Sequence, residues 1–172
     1  MVFSSAIFLF TFLPLTFIGS LLIRQRWAQN AFLTLASLIF YAFGEPVYVF
    51  LMIASAGVNY GFGRGIAAVR GKRMKRLLLV LAVICDLAVL GVFKYAGFAV
   101  TNVNALFGLA LPVPAIRLPV GISFFTFQAM SYVIDVYRNR DMCQKDFMKV
   151  LLYISFFPQL IAGPIVRWNE IE

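Results

Sequence analysis

Five residues that could build an internal site recur at helical spacing inside an apolar stretch of this 172-residue chain. Gly121, Phe125, Gln128, Tyr132 and Asp135 follow one another every three or four positions between Leu118 and Arg138. A helix would therefore carry them on one face. An amide, a phenol and a carboxylate at membrane depth are costly in lipid and point into a protein interior or a wet cavity. The groups absent from the chain limit the chemistry further. There is no histidine, so no Ser-His or Cys-His nucleophile arrangement can form, and there is no Gly-rich phosphate loop. The sequence assigns no catalytic residue, metal site or bound cofactor.

The acids inside apolar runs are Asp86 and Asp135. Arg138 lies three residues after Asp135, which predicts a structural ion pair near a membrane boundary rather than a catalytic acid. Asp86 is expected to pair with an arginine or tyrosine from another helix. Cys85 sits in an apolar run and Cys143 in a basic loop, and neither a disulfide nor a metal-ligand spacing results. Cys143 reads as a plain loop cysteine, with palmitoylation the weaker alternative.

These residues need elements to hold them, and composition defines the class. Apolar residues make up 62% of the chain and charged residues 13%, against about 45–50% and about 25% in soluble domains. The expected fold is all-α: one polytopic transmembrane bundle over 1–172, with about five spans plus a proline-broken or re-entrant sixth segment. The spans fall near 1–23, 27–43, 47–63, 77–93 and 119–137, with the broken segment at 147–166. Lys94 and Tyr95 would close the fourth span, leaving 95–111 at the interface. Pro158 and Gly163-Pro164 interrupt the last run, because proline removes a backbone donor and clashes with the preceding turn. A kinked packing helix and a broken helix lining a site both remain open there, as do a full crossing and a re-entrant path.

Net charge is +8, yet the basic residues lie between apolar spans, a pattern that orients a membrane protein and does not build a nucleic-acid face. Arg64, Arg70, Lys72, Arg73, Lys75 and Arg76 have no acidic residue among them. The positive-inside rule puts loop 64–76 in the cytosol and the N-terminus outside. This patch reads as an orientation signal before a lipid- or partner-binding one.

Two long motifs carry a resemblance. The stretch from Leu118-Pro119-Val120-Gly121 through Phe125-Thr126-Phe127-Gln128, Ser131-Tyr132 and Asp135-Val136-Tyr137-Arg138 resembles the central motif of the bacterial membrane-bound O-acyltransferases. Phe156-Phe157-Pro158-Gln159-Leu160-Ile161-Ala162-Gly163-Pro164-Ile165-Val166-Arg167 resembles that family's next motif, at the expected separation. Phe40-Tyr41, Glu45-Pro46 and Phe93-Lys94-Tyr95 fit as well. The nearest branch is the alginate O-acetyltransferase type.

The resemblance implies a multi-pass protein of the bacterial cytoplasmic (inner) membrane, surrounded by lipid. It implies transfer of an acyl, most simply acetyl, group from a cytosolic thioester co-substrate toward hydroxyls of an exported polysaccharide. A periplasmic or extracellular acyl-acceptor protein is the expected partner. In that setting Gly121, Phe125, Gln128, Tyr132, Asp135, Arg138, Pro158, Gly163, Pro164 and Arg167 are the motif or acyl-tunnel candidates. For Thr126 and Ser131 packing is the simpler role; for Gln128 and Tyr132 packing and tunnel lining stay open. The family's base is a histidine later in the chain, able to take a hydroxyl proton near neutral pH. Its absence here makes the chain an expected N-terminal portion, inactive alone. A transporter or channel subunit, or a non-catalytic membrane partner, is the alternative reading.

Overall fold

The computed structural model describes residues 8–110, 112–113, 117–162 and 168. Among them the fold is all-helical. A π-helical stretch, Phe8–Phe12, leads into α1 (Leu13–Leu22), followed by α2 (Arg26–Gly44), α3 (Tyr48–Ala68) and α4 (Lys72–Phe107). α5 (Ile122–Arg138) comes next, then a short 3-10 turn at Arg140–Met142, α6 (Phe147–Ser155) and α7 (Phe157–Ala162).

α4 is the one helix among the described residues that is long and apolar enough to cross a membrane. Only 17% of its most apolar window is buried inside the protein, unlike a core helix of a soluble domain. Leu77, Val80, Leu81, Ile84, Leu87 and Val92 are all exposed on it. The helix does not close at Lys94 and Tyr95: it continues unbroken to Phe107, so most of 95–111 forms its last turns. Nothing between Lys94 and Phe107 is a proline, and Thr101 and Asn102 return their side-chain bonds to carbonyls four residues back, which a helix accommodates.

The core is built around α5, whose inward face packs on α3 and α4, while α6 fills the space between α2 and α3. α3 and α5 approach closely at Gly63. A Cβ there would lie 2.7 Å from the Tyr132 ring, so a residue without a side chain is required. α5 opens at Gly121, whose φ of +78° favours glycine. At this end Tyr41 donates to the Val120 carbonyl (2.9 Å), Tyr48 donates to the Arg117 carbonyl (3.1 Å), and Glu45 pairs with Arg117 at 3.4 Å. These bonds fasten the α2–α3 hairpin to the entry of α5.

The last run is broken, as its prolines predict, and the break falls at Phe156. Pro158 then occupies the second position of α7, where its missing N–H has no helical partner to lose. Gly163, Pro164 and Arg167 lie outside the described residues.

Candidate functional site

α5 presents the expected face inward. Phe125 and Tyr132 are fully buried, and Gln128 and Asp135 are buried beside them. Thr126, read as packing, is buried too, whereas Ser131 is only half-buried. The ion pair expected between Asp135 and Arg138 does not form. Among the described residues the one ion pair is Glu45–Arg117. Positions three apart are rotated by about 60° on a helix; here Asp135 turns inward while Arg138, at the helix end, is exposed, as a long cation at a boundary prefers.

Gln128 is the structural centre of the site. Its Nε2 donates to Oε1 of Gln159 at 2.8 Å, joining α5 to α7. On the α2 side, the backbone N–H of Phe157, released by the break, donates to Oγ of Ser37 at 3.4 Å. The N–H groups of Gln159 and Leu160 both reach the Phe156 carbonyl at 3.1 Å. The first turn of α7 is therefore accounted for, since Pro158 has no donor. Oε1 of Gln128, Oγ of Thr126 and Oγ of Ser155, at the end of α6, are buried with no hydrogen-bond partner among the described residues. Tyr132 Oη and Asp135 Oδ2 farther along α5, and Asn59 Oδ1 and Asp86 Oδ2 between α3 and α4, are in the same condition.

The Phe157 side chain enters an apolar cluster. Phe157 packs on Phe8 at 5.9 Å, Phe12 at 5.4 Å and Phe40 at 5.6 Å between ring centroids. Phe157 thus meets α2 twice, through its backbone at Ser37 and through its ring at Phe40.

One turn along α5 from Gln128, the Tyr132 ring stands edge-on to Trp168 at 5.2 Å, and Trp168 stands edge-on to Tyr153 at 5.1 Å. The Trp168 indole donates to the Met142 carbonyl at 2.9 Å. Tyr153 and Trp168 also line a cavity of about 380 Å³ whose other walls include Arg26, Gln29, Gln144 and Lys149. Among the described residues the cavity carries two cations, no acid and three amides, over an aromatic floor that touches the α5 face. It could hold an anionic molecule and aim one end of it inward.

Asp86 belongs to a separate place. Its expected arginine or tyrosine partner is instead Asn59 of α3, whose Nδ2 donates to Oδ1 of Asp86 at 2.8 Å and also to the Ser55 carbonyl at 3.0 Å. Cys143 is half-buried, its Sγ 3.7 Å from the Gly63 carbonyl, as fits a loop cysteine used in packing. Sequence reasoning missed Gly63, Ser37, Asn59 and Trp168. The small residues Gly57, Gly61, Gly63 and Gly65 of α3 were the available signal for close helix packing; Trp168 offered none without its neighbours.

No family model and no solved structure matches the chain. Curated relatives do. Over 99% of its length it is 41% identical to an alginate O-acetylase AlgI of Pseudomonas syringae and 40% identical to that of Pseudomonas aeruginosa. It is 34% identical to a peptidoglycan O-acetyltransferase of Helicobacter pylori. The chain spans only 34% to 38% of the length of these relatives. The resemblance carried by the two motifs therefore extends over the whole chain, which corresponds to the N-terminal third of O-acetyltransferases of the alginate O-acetylase type.

Proposed function

We propose that this chain is the donor-side part of a multi-pass membrane O-acetyltransferase. An acyl thioester enters at the end that carries Arg26, Gln144 and Lys149, rests on Tyr153 and Trp168, and extends its acyl end along Tyr132 toward Gln128 and the break. The observation that carries this reading is the ring-to-ring continuity from the basic cavity through Trp168 to Tyr132 on α5, one turn from the Gln128–Gln159 bond. The amide of Gln128, with an acceptor oxygen still to satisfy, sits where a hydroxyl or thiol could donate to it.

On this reading charge sets the membrane arrangement. The two cavities bring Arg26 with Lys149, and Arg64 with Arg140 and Lys145, to one end of the helices, which the positive-inside rule puts in the cytosol. The nine residues of α6 rise about 14 Å from that end, roughly half of a ~30 Å hydrocarbon core. On this reading the break lies near mid-membrane. α4, with 36 residues and a length of about 54 Å, exceeds the core, so its last turns lie at the outer interface.

The transfer breaks the thioester C–S bond and forms an ester C–O bond; the accepting hydroxyl loses its proton to a base, and the departing thiolate takes up a proton to leave as the free thiol. No histidine exists in these 172 residues; of the three buried carboxylates among the described residues, Glu45 pairs with Arg117, Asp86 lies against Asn59 and Asp135 sits at the Arg138 end of α5. The base, the acceptor hydroxyl on an exported polysaccharide and the acceptor-side partner protein belong in this reading to other parts of the assembly. Membranes producing the intact enzyme should transfer label from radiolabelled acetyl-coenzyme A to exported polysaccharide. Arg26→Gln/Lys149→Gln should raise the KM for the donor about tenfold, at roughly 1 kcal/mol or less per lost charge, and leave kcat nearly unchanged. No transfer by the wild type, or an unchanged KM in the double variant, would reject the reading.

A further inference from the structure

A second cavity at the basic end takes no part in the proposed acyl path. It measures about 530 Å³ and is lined by Arg64 at the end of α3 and by Arg140, Asp141, Cys143 and Lys145 of the α5–α6 loop. Its wall is built with care. Arg140 donates through Nε to the Ala67 carbonyl at 2.8 Å and through a terminal nitrogen to the same oxygen. This covers the negative end of the α3 dipole. Tyr60 donates to the Lys145 carbonyl at 2.7 Å, and Cys143 faces the Gly63 carbonyl. The loop is thus stapled to α3 at successive points.

This geometry concentrates like charge. Three cations face one acid, and none of the three is used in an ion pair among the described residues. Arg64, Arg140 and Lys145 are all exposed, so water screens their mutual repulsion and leaves their free donors open to an anion that enters the cavity. Arg140, with two donors on Ala67, retains others of its five. The cations of residues 70–76 follow directly from α3 and add to the field. From the sequence alone the basic loop reads as an orientation signal; the structure adds that Arg64 and a distant loop close around one space.

We propose that this cavity binds a phosphate-bearing anion at the cytosolic boundary. Phosphate suits it because three oxygens can accept from several fixed cations at once. The headgroup of an anionic phospholipid would meet it at the level where α3 and α4 leave the membrane. Gln144, next to Cys143 and Lys145, lines the other cavity, so an anion seated here steadies a wall that both cavities share. The inference holds whether or not the neighbouring cavity takes an acyl donor.

Cys143 reports occupancy directly, because it lines the cavity and is half-buried. In the intact protein with every cysteine except Cys143 replaced by serine, held in neutral detergent, phosphatidylglycerol should slow maleimide alkylation of Cys143, and phosphatidylcholine should not. Arg64→Gln/Lys145→Gln should raise the half-protecting concentration about 30-fold. The variant Arg64→Lys/Lys145→Arg should keep the protection and shows that charge, not folding, is being read. Equal protection by inorganic phosphate would assign the site to a soluble phosphate, and protection by the lipid alone to a headgroup. Alkylation unaffected by either, or protection undiminished in the double glutamine variant, would overturn the proposal.

Discussion

Two buried amide side chains in this protein make nearly the same bond in different settings. Asn59 joins α3 to α4 through Asp86, and Gln128 joins α5 to α7 through Gln159, both at 2.8 Å. Around Asn59 both helices run on unbroken, so every backbone group already has its helical partner and the bond fastens two rods. Around Gln128 one helix has stopped at Phe156, and the backbone itself takes part through Phe157 and Ser37. Both pairs leave buried oxygens without a partner among the described residues, Asn59 Oδ1 and Asp86 Oδ2 in one and Gln128 Oε1 in the other. A polar pair beside a break sits next to groups that a ligand can also satisfy. The difference lies in the backbone nearby and not in the side chains.

The comparison can be broken or sharpened by substitution. The largest loss of stability is expected from Gly63→Val, which drives a side chain into the Tyr132 ring. Overpacking of this kind costs about 1–3 kcal/mol or more. Thermal unfolding in detergent should fall sharply, and the near-ultraviolet circular dichroism of Tyr132 and Trp168 should collapse with it. Retained aromatic signals at a normal melting temperature would mean that α3 and α5 are not packed as described.

Asn59→Leu comes next. It leaves the Asp86 carboxyl buried without its partner, at a cost of about 1–3 kcal/mol. The double replacement Asn59→Leu/Asp86→Leu should restore most of that loss, and O-acetyl transfer per folded molecule should be unchanged throughout. A drop in transfer that the double variant fails to repair would give the α3–α4 pair a role beyond fastening.

Gln128→Leu should have the smallest effect on stability, about 0.6 kcal/mol for an interhelical bond in a membrane. Transfer should nevertheless fall by about tenfold, equal to ~1.4 kcal/mol of barrier, when both are measured on the same preparation. If transfer and stability decline together, the α5–α7 bond is packing and the contrast between the two pairs disappears.

Much of this was legible in one dimension. The three- and four-residue spacing from Gly121 to Asp135 identified the inward face of α5, because helical periodicity is local. Pro158 announced a break in the last run for the same reason: the missing donor is a property of the residue. One failure came where distant segments had to meet, and two were local. Asp135 and Arg138 were close in number but turned apart, and Asp86 found an asparagine 27 positions away rather than a cation. The end of α4 was misplaced because Lys94 and Tyr95 suit a boundary by type, yet nothing in them stops a helix.

The sequence by itself determined the apolar helical character of the chain, the polar face of α5, the clustering of cations and the likeness to membrane O-acetyltransferases. Each depends on residue type and short-range spacing, which act before any long-range contact forms. Only the tertiary structure decided that Gln128 meets Gln159 at the break, that Trp168 bridges Tyr132 and Tyr153, and that Arg64 joins Arg140 and Lys145 around one cavity. Those meetings depend on which helices pack side by side. Packing is settled by close approaches such as that at Gly63 and by the satisfaction of buried polar groups across the whole bundle, terms that no single stretch of sequence contains.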